Sequence, residues 1–212
     1  MTQALYLNDV KTAEVNVLSC QISKDGLFEV RLSETPFHPQ GGGQPSDIGT
    51  IHNIQVMHVT MNEQDIIHYC ANEVPLGITL AQVDVTKRNY HSRLHSAGHL
   101  IAHVMHSFGW NPIKAQHWPN DSKVQFTPGT DAQNLDLESL ENLCNAYIKQ
   151  KLIRHTSQNL EGYREIGFGN LGTFPCGGTH VKNLSEIDQI HLTEFKSKKG
   201  KLTIKYRVSE AY

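Results

Sequence analysis

Cysteine is scarce: the chain has four in 212 residues, Cys20, Cys70, Cys144 and Cys176, with no CxxC pair among them. That spacing excludes a zinc ribbon and a thioredoxin-like redox motif. In a reducing compartment it leaves free thiols, of which Cys20, Cys70 and Cys144 read as small apolar core groups. Long hydrophobic runs are missing too. No apolar stretch approaches the roughly 18 residues of a membrane helix. Residues 1–19 include Thr2, Gln3, Asn8, Asp9 and Lys11 where a signal peptide would be apolar. A cytoplasmic protein with no membrane partner is expected. Excess charge of one sign is also lacking. Nineteen Lys+Arg against 21 Asp+Glu gives −2, which excludes a uniformly basic nucleic-acid binder but not a local basic groove. With 38% hydrophobic residues, the chain fits one large globular domain or two small ones. What it has in excess is histidine, 13 residues against seven each of Phe and Tyr. That surplus points toward metal.

The first 85 residues read as short strands separated by polar turns, which suggests a small barrel or sandwich. The strands expected are Leu27–Leu32, Ile51–Thr60 and Asp65–Cys70, with one glycine-rich loop over residues 37–49. Beyond a boundary near residue 85 the pattern turns helical. Over Thr86–Phe108, Leu94, Ala97, Gly98, Ile101, Met105 and Phe108 share one face. Asp84 or Thr86 can cap this helix, and Gly109 follows its end. A second helix is expected over Leu137–Leu152, strands at Lys123–Phe126 and before Tyr163, and a terminal hairpin made of Gln189–Phe195, a turn over residues 196–200, and Lys201–Val208.

The first helix carries His91, His95, His99, His103 and His106. Imidazoles four residues apart on a helix can chelate one zinc ion. Periodicity alone leaves the pairs 91/95, 95/99 and 99/103 open, and a solvated or core-edge histidine run is the simpler alternative. A second donor pair lies in the Gly-rich stretch 172–180, where Cys176 and His180 are four positions apart. One thiolate with imidazoles is a sound tetrahedral zinc set, while a tight turn with a free Cys, or a Cys–His nucleophile pair, are the competing readings. No Glu lies between His95 and His99, so the general base of a zinc protease helix is missing.

Three motifs together resemble the free-standing alanyl-tRNA editing proteins of the AlaX family, which are similar to the editing domain of alanyl-tRNA synthetase. They are Phe37-His38-Pro39 with Gly41-Gly42-Gly43-Gln44-Pro45 and Asp47-Ile48-Gly49, then Arg93–Leu100, then Pro175–Val181. His38 and Gln40 depart from the family's usual Tyr and acidic residue. The resemblance implies an α+β protein of the medium-length type. Its parts would be a small N-terminal β-barrel over 1–85 and a zinc-dependent editing domain over 86–212, with helices packed on an antiparallel sheet. It selects His95, His99, Cys176 and His180 as ligands of one zinc ion, with Cys176 and His180 also catalytic. It places Gly41, Gly42, Gly43, Gln44, Gly177, Gly178 and Thr179 against the substrate. The implied activity is hydrolysis of mischarged tRNA(Ala), mainly Ser-tRNA(Ala), with Gly-tRNA(Ala) as a second substrate, in the service of translation fidelity. Thr179, Gln44, Gln116 and His117 are candidates to hydrogen-bond a seryl hydroxyl. The phosphates would meet Lys87, Arg88, Arg93 and the hairpin cluster Lys196, Lys198, Lys199, Lys201, Lys205 and Arg207. A zinc hydrolase of a small ester or amide, and a noncatalytic RNA-binding module with structural zinc, are the alternatives.

Overall fold

A computed structural model of the protein describes residues 2–63 and 65–209. The chain is α+β, with mostly antiparallel sheets and two α-helices among the described residues. It divides into two compact units, one ending at Asn89 and one beginning at Tyr90. No helix among the described residues is long and apolar enough to cross a membrane.

The first unit contains β1 (Gln3–Ala4), β2 (Thr12–Ile22), β3 (Phe28–Leu32), β4 (Glu34–Thr35), β5 (Gly49–Ile51), β6 (Ile54–Asn62), β7 (Asp65–Cys70) and β8 (Gly77–Val83). Six of these pair around a closed ring in the order β2-β3-β7-β6-β5-β8. Side chains alternate across each strand, so Val15 and Val17 of β2 point inward with Val30, Leu32, Val56, Ile66 and Ala81 from other strands of the ring. The single strand expected over Ile51–Thr60 is in fact a hairpin. His52 and Asn53 both have positive φ (52° and 62°) and reverse the chain between β5 and β6. A two-residue turn with this geometry matches strand twist.

The glycine-rich loop contains a turn of the same kind. Gly41 and Gln44 exchange backbone hydrogen bonds, and Gly42 and Gly43 between them take φ of 57° and 78°. That conformation costs glycine little. Downstream, Asp47 anchors the loop. Its carboxylate accepts from the His38 amide and pairs with Arg88, both charges being almost fully buried. Arg88 also donates to Pro36 O.

The second unit is built on α1 (Val85–Ser107), whose first turn belongs to the preceding unit, and continues with β9 (Trp110–Trp118), β10 (Asp121–Pro128), α2 (Leu137–Lys149), β11 (Arg154–Gln158), β12 (Arg164–Phe168), β13 (Phe174–Pro175), β14 (Ile190–Lys198) and β15 (Lys201–Val208). A four-stranded antiparallel sheet runs β14-β15-β10-β9, and a smaller one β11-β12-β13. The expected helix face is present: Leu94, Ala97, Ile101 and Met105 lie in one core with Val124, Phe126, Ile204 and the α2 residues Leu140, Cys144 and Ile148. Asp84 is the residue that caps α1, accepting from the Lys87 amide. Helix α2 begins where Asp136 caps it and stops at Lys149 rather than Leu152, because Lys151 takes a positive φ of 55°. The terminal hairpin turns on Lys199 and Gly200 alone, so Lys196 and Lys198 lie on β14 rather than in the turn.

Candidate metal centre

His95 and His99 occupy successive turns of α1, and the loop after β13 delivers Cys176 and His180 to the same point. The four donor atoms all lie within 4.8 Å of one another. Cys176 Sγ is 3.3 Å from His95 Nε2 and 3.2 Å from His180 Nε2. Zinc–ligand bonds of about 2.0–2.3 Å would set tetrahedral donor separations of about 3.4–3.6 Å, near the two Cys176–imidazole separations, and the remaining donors lie within reach of the same ion. Burial, with His103, His117 and Arg164 adding repulsion, pushes His99 well below the usual histidine range. His180 is lowered in the same way, by burial first and then by His99 and Arg164. The imidazoles are thereby kept neutral, the state a metal ligand needs. Burial raises the Cys176 thiol, opposed by the Gly178 amide and Arg164.

The ligand loop is tied down on several sides. Arg164 of β12 donates through Nη1 to Cys176 O at 2.8 Å and Gly178 O at 3.0 Å, and Arg154 of β11 donates to His180 O at 2.9 Å. The Gly178 amide donates to Cys176 Sγ at 3.3 Å. From α1, the Ser92 hydroxyl meets that of Thr179 at 2.7 Å, and Ser96 Oγ lies 3.2 Å from His180 Nδ1. The sequence reading missed Ser92, Ser96, Arg154 and Arg164. The two serines carry a faint signal, since 92, 96, 99 and 103 form a polar stripe at helical spacing. The two arginines carry none.

No family model matches the chain. Among curated proteins it is 28% identical, over 93% of its own length and 95% of the other's, to the alanyl-tRNA editing protein AlaX-M of Methanosarcina barkeri. It is 28% identical over 84% of its length to the alanyl-tRNA editing protein Aarsd1-A of Xenopus laevis, and 25% identical over 90% to the alanine–tRNA ligase of Haloquadratum walsbyi. The chain is homologous to alanyl-tRNA editing proteins. It spans about half the length of Aarsd1-A and about a quarter of the ligase (48% and 24%).

In this editing-protein homologue the wall beside the quartet is made by His117 of β9, whose ring stacks on His95 with centroids 4.1 Å apart. Tyr206 Oη donates to Leu94 O at 3.0 Å, so at 2.6 Å it must accept from His117 Nδ1–H. His117 Nε2 is left as an acceptor. Burial holds this imidazole neutral, down to about 3. Gly98, read from the sequence as part of the helix's core face, makes room for the pair. A Cβ there would lie 2.4 Å from His117 Cε1 and 2.6 Å from Tyr206 Oη.

Of the other expected site residues, Gly177, Gly178 and Thr179 lie in the ligand loop, and Gly41, Gly42, Gly43 and Gln44 form the tight turn of the first unit. Arg88 and Arg93, expected to meet phosphate, are interior. Arg88 pairs with Asp47, and Arg93 donates to Ile187 O at 2.8 Å. Three further histidines are buried, His68, His91 and His103. His103 stacks on Phe174, with ring centroids 4.3 Å apart.

Proposed function

We propose that this protein is a free-standing, zinc-dependent trans-editing hydrolase. It removes the wrong amino acid from mischarged tRNA(Ala), with Ser-tRNA(Ala) the main substrate and Gly-tRNA(Ala) the second. The observation that carries this reading is the convergence of the buried His95, His99 and His180 with the partly buried Cys176. Homology to AlaX-M along nearly the whole of both chains supports it. In this reading residues 1–85 are a small β-barrel domain with the glycine-rich loop, residues 86–212 are the editing domain, and the protein works in the cytoplasm.

A synthetase pocket for alanine discriminates poorly against glycine, which is smaller, and serine, which adds one hydroxyl. A second site can do better by hydrogen-bonding that hydroxyl, because alanine would then leave buried polar groups unpaired. His117 Nε2 is a fixed acceptor beside His95, which makes it the strongest candidate of the expected set. Gln116, Gln44 and Thr179 are the others. Zinc, when bound, supplies Lewis-acid charge beside the ester. Cys176 and His180, with His95 and His99, hold it there. The Gly177 amide is assigned to the developing oxyanion, since the Gly178 amide is turned onto the Cys176 sulfur. Gly41, Gly42 and Gly43 are assigned to the substrate as well. A Cys–His nucleophile pair is the weaker reading, since two imidazole nitrogens, not one, converge on the Cys176 thiol.

The test is a deacylation panel of tRNA charged with Ser, Gly, Ala or Thr, with and without a metal chelator. Ser- and Gly-tRNA(Ala) should be hydrolysed, Ala-tRNA(Ala) spared, and both the chelator and Cys176→Ala should abolish the reaction. Equal hydrolysis of Ala-tRNA(Ala) refutes editing. Faster cleavage of simple aminoacyl esters than of charged tRNA identifies a small-ester hydrolase, and tRNA binding without hydrolysis identifies a binding module.

A further inference from the structure

We propose that Ser96 is a positioning residue of the metal centre: its hydroxyl fixes His180 in the tautomer that offers Nε2 to the cation. The proposal rests on the metal reading of the quartet. Ser96 sits on α1 between the two helical ligands and is fully buried. Its Oγ lies 3.2 Å from His180 Nδ1 and accepts from the Val181 amide at 3.1 Å. The other ring nitrogen, Nε2, lies 3.2 Å from Cys176 Sγ and faces the remaining donors.

A neutral imidazole has one N–H, and the nitrogen that binds a cation must present its lone pair. With Nε2 as ligand, Nδ1 carries the hydrogen and Ser96 Oγ receives it. A hydroxyl has two lone pairs and one hydrogen. Its two lone pairs accommodate Val181 N–H and His180 Nδ1–H. One oxygen thus ties the ligand's ring and the next residue's backbone to the helix that carries His95 and His99. His99 differs, since its Nδ1 is buried with no hydrogen-bond partner. Control of tautomer by this serine is therefore specific to His180.

Zinc affinity, measured by competition with a chromophoric chelator, tests the role without any reference to deacylation. Ser96→Ala should weaken binding about 10–100-fold, the usual effect of removing a partner that orients a ligand. Ser96→Thr keeps the oxygen and should restore it. A folded Ser96→Ala protein with wild-type affinity overturns the proposal. Should that variant fail to fold, side-chain 15N spectra of the zinc-loaded wild type decide instead. His180 protonated at Nδ1 supports the proposal, and His180 protonated at Nε2 overturns it. A wild-type chain that binds no zinc overturns the metal reading, and this proposal with it. Zinc binding without deacylation overturns only the proposed activity.

Discussion

Buried histidine dominates the chemistry at the scale of single residues, and not only at the candidate metal centre. His68 lies on β7 inside the first unit, with Nδ1 3.1 Å from Val30 O and Nε2 2.7 Å from Thr35 Oγ1. The carbonyl can only accept, so Nδ1 donates and Thr35 donates to Nε2. Burial lowers this ring to about 4. An unfolded histidine titrates near 6.5. Below that pH the unfolded chain takes up a proton that the folded ring refuses, so the stability from neutral His68 is complete above about 6.5 and is lost as pH falls toward about 4. Between about pH 7.5 and about pH 5 this one group should cost about 2 kcal/mol of unfolding free energy. Urea unfolding at the two pH values, in chelator so that metal release does not contribute, should show the loss in the wild type and a smaller one in His68→Gln. Equal losses would discount His68. Cys176 and His180 were legible in the sequence because donor spacing in a glycine-rich loop is a local pattern. His68 was not, because its placement between Val30 and Thr35 depends on strand pairing.

Among elements, α1 was the most legible. Leu94, Ala97, Ile101 and Met105 repeat at helical spacing and meet the sheet as that spacing implies. Periodicity left its polar flank open between solvent and a site, and residues 91–105 are in fact all buried. Periodicity reports which face is apolar. It does not report that a distant loop will cover the polar one. The β5–β6 turn was hidden for a different reason: neither His52 nor Asn53 is glycine, so the positive φ at each leaves no compositional mark. The β14–β15 hairpin was legible, and it bears on RNA. Lys196, Lys198, Lys199 and Lys201 are exposed, whereas Lys205 is paired with Glu194 at 3.2 Å. With Arg88 and Arg93 inside the protein, this hairpin carries much of the proposed phosphate binding. Replacing its four exposed lysines with Gln should weaken tRNA binding and flatten its salt dependence, by about 0.7 in log–log slope for each single-strand phosphate no longer neutralised. Fluorescence anisotropy across a salt series measures the slope, and an unchanged slope removes the hairpin from the interface.

At the scale of the whole molecule, the change from strands to helix near residue 85 was legible as a change of period. The strand pattern alone left a barrel or a sandwich open, because closure of the ring depends on β2 pairing with β8 across most of the first unit. The Asp47–Arg88 pair, which joins the end of the glycine-rich loop to the opening turn of α1, was not legible. Removing one member of a buried pair leaves the other charge uncompensated, at a cost of about 3–5 kcal/mol. Arg88→Met should therefore lower stability by about that amount, and combining it with Asp47→Leu should recover part of the loss, as read from denaturation midpoints in a double-mutant cycle. Simple additivity would show that the two charges act separately. The same pair limits how such a protein could be recombined with others. A crossover placed at Asp84 would inherit the ring and its loop but lose Arg88, so Asp47 would enter the hybrid as a lone buried anion. The first unit is transferable only together with the opening turn of the helix that follows it.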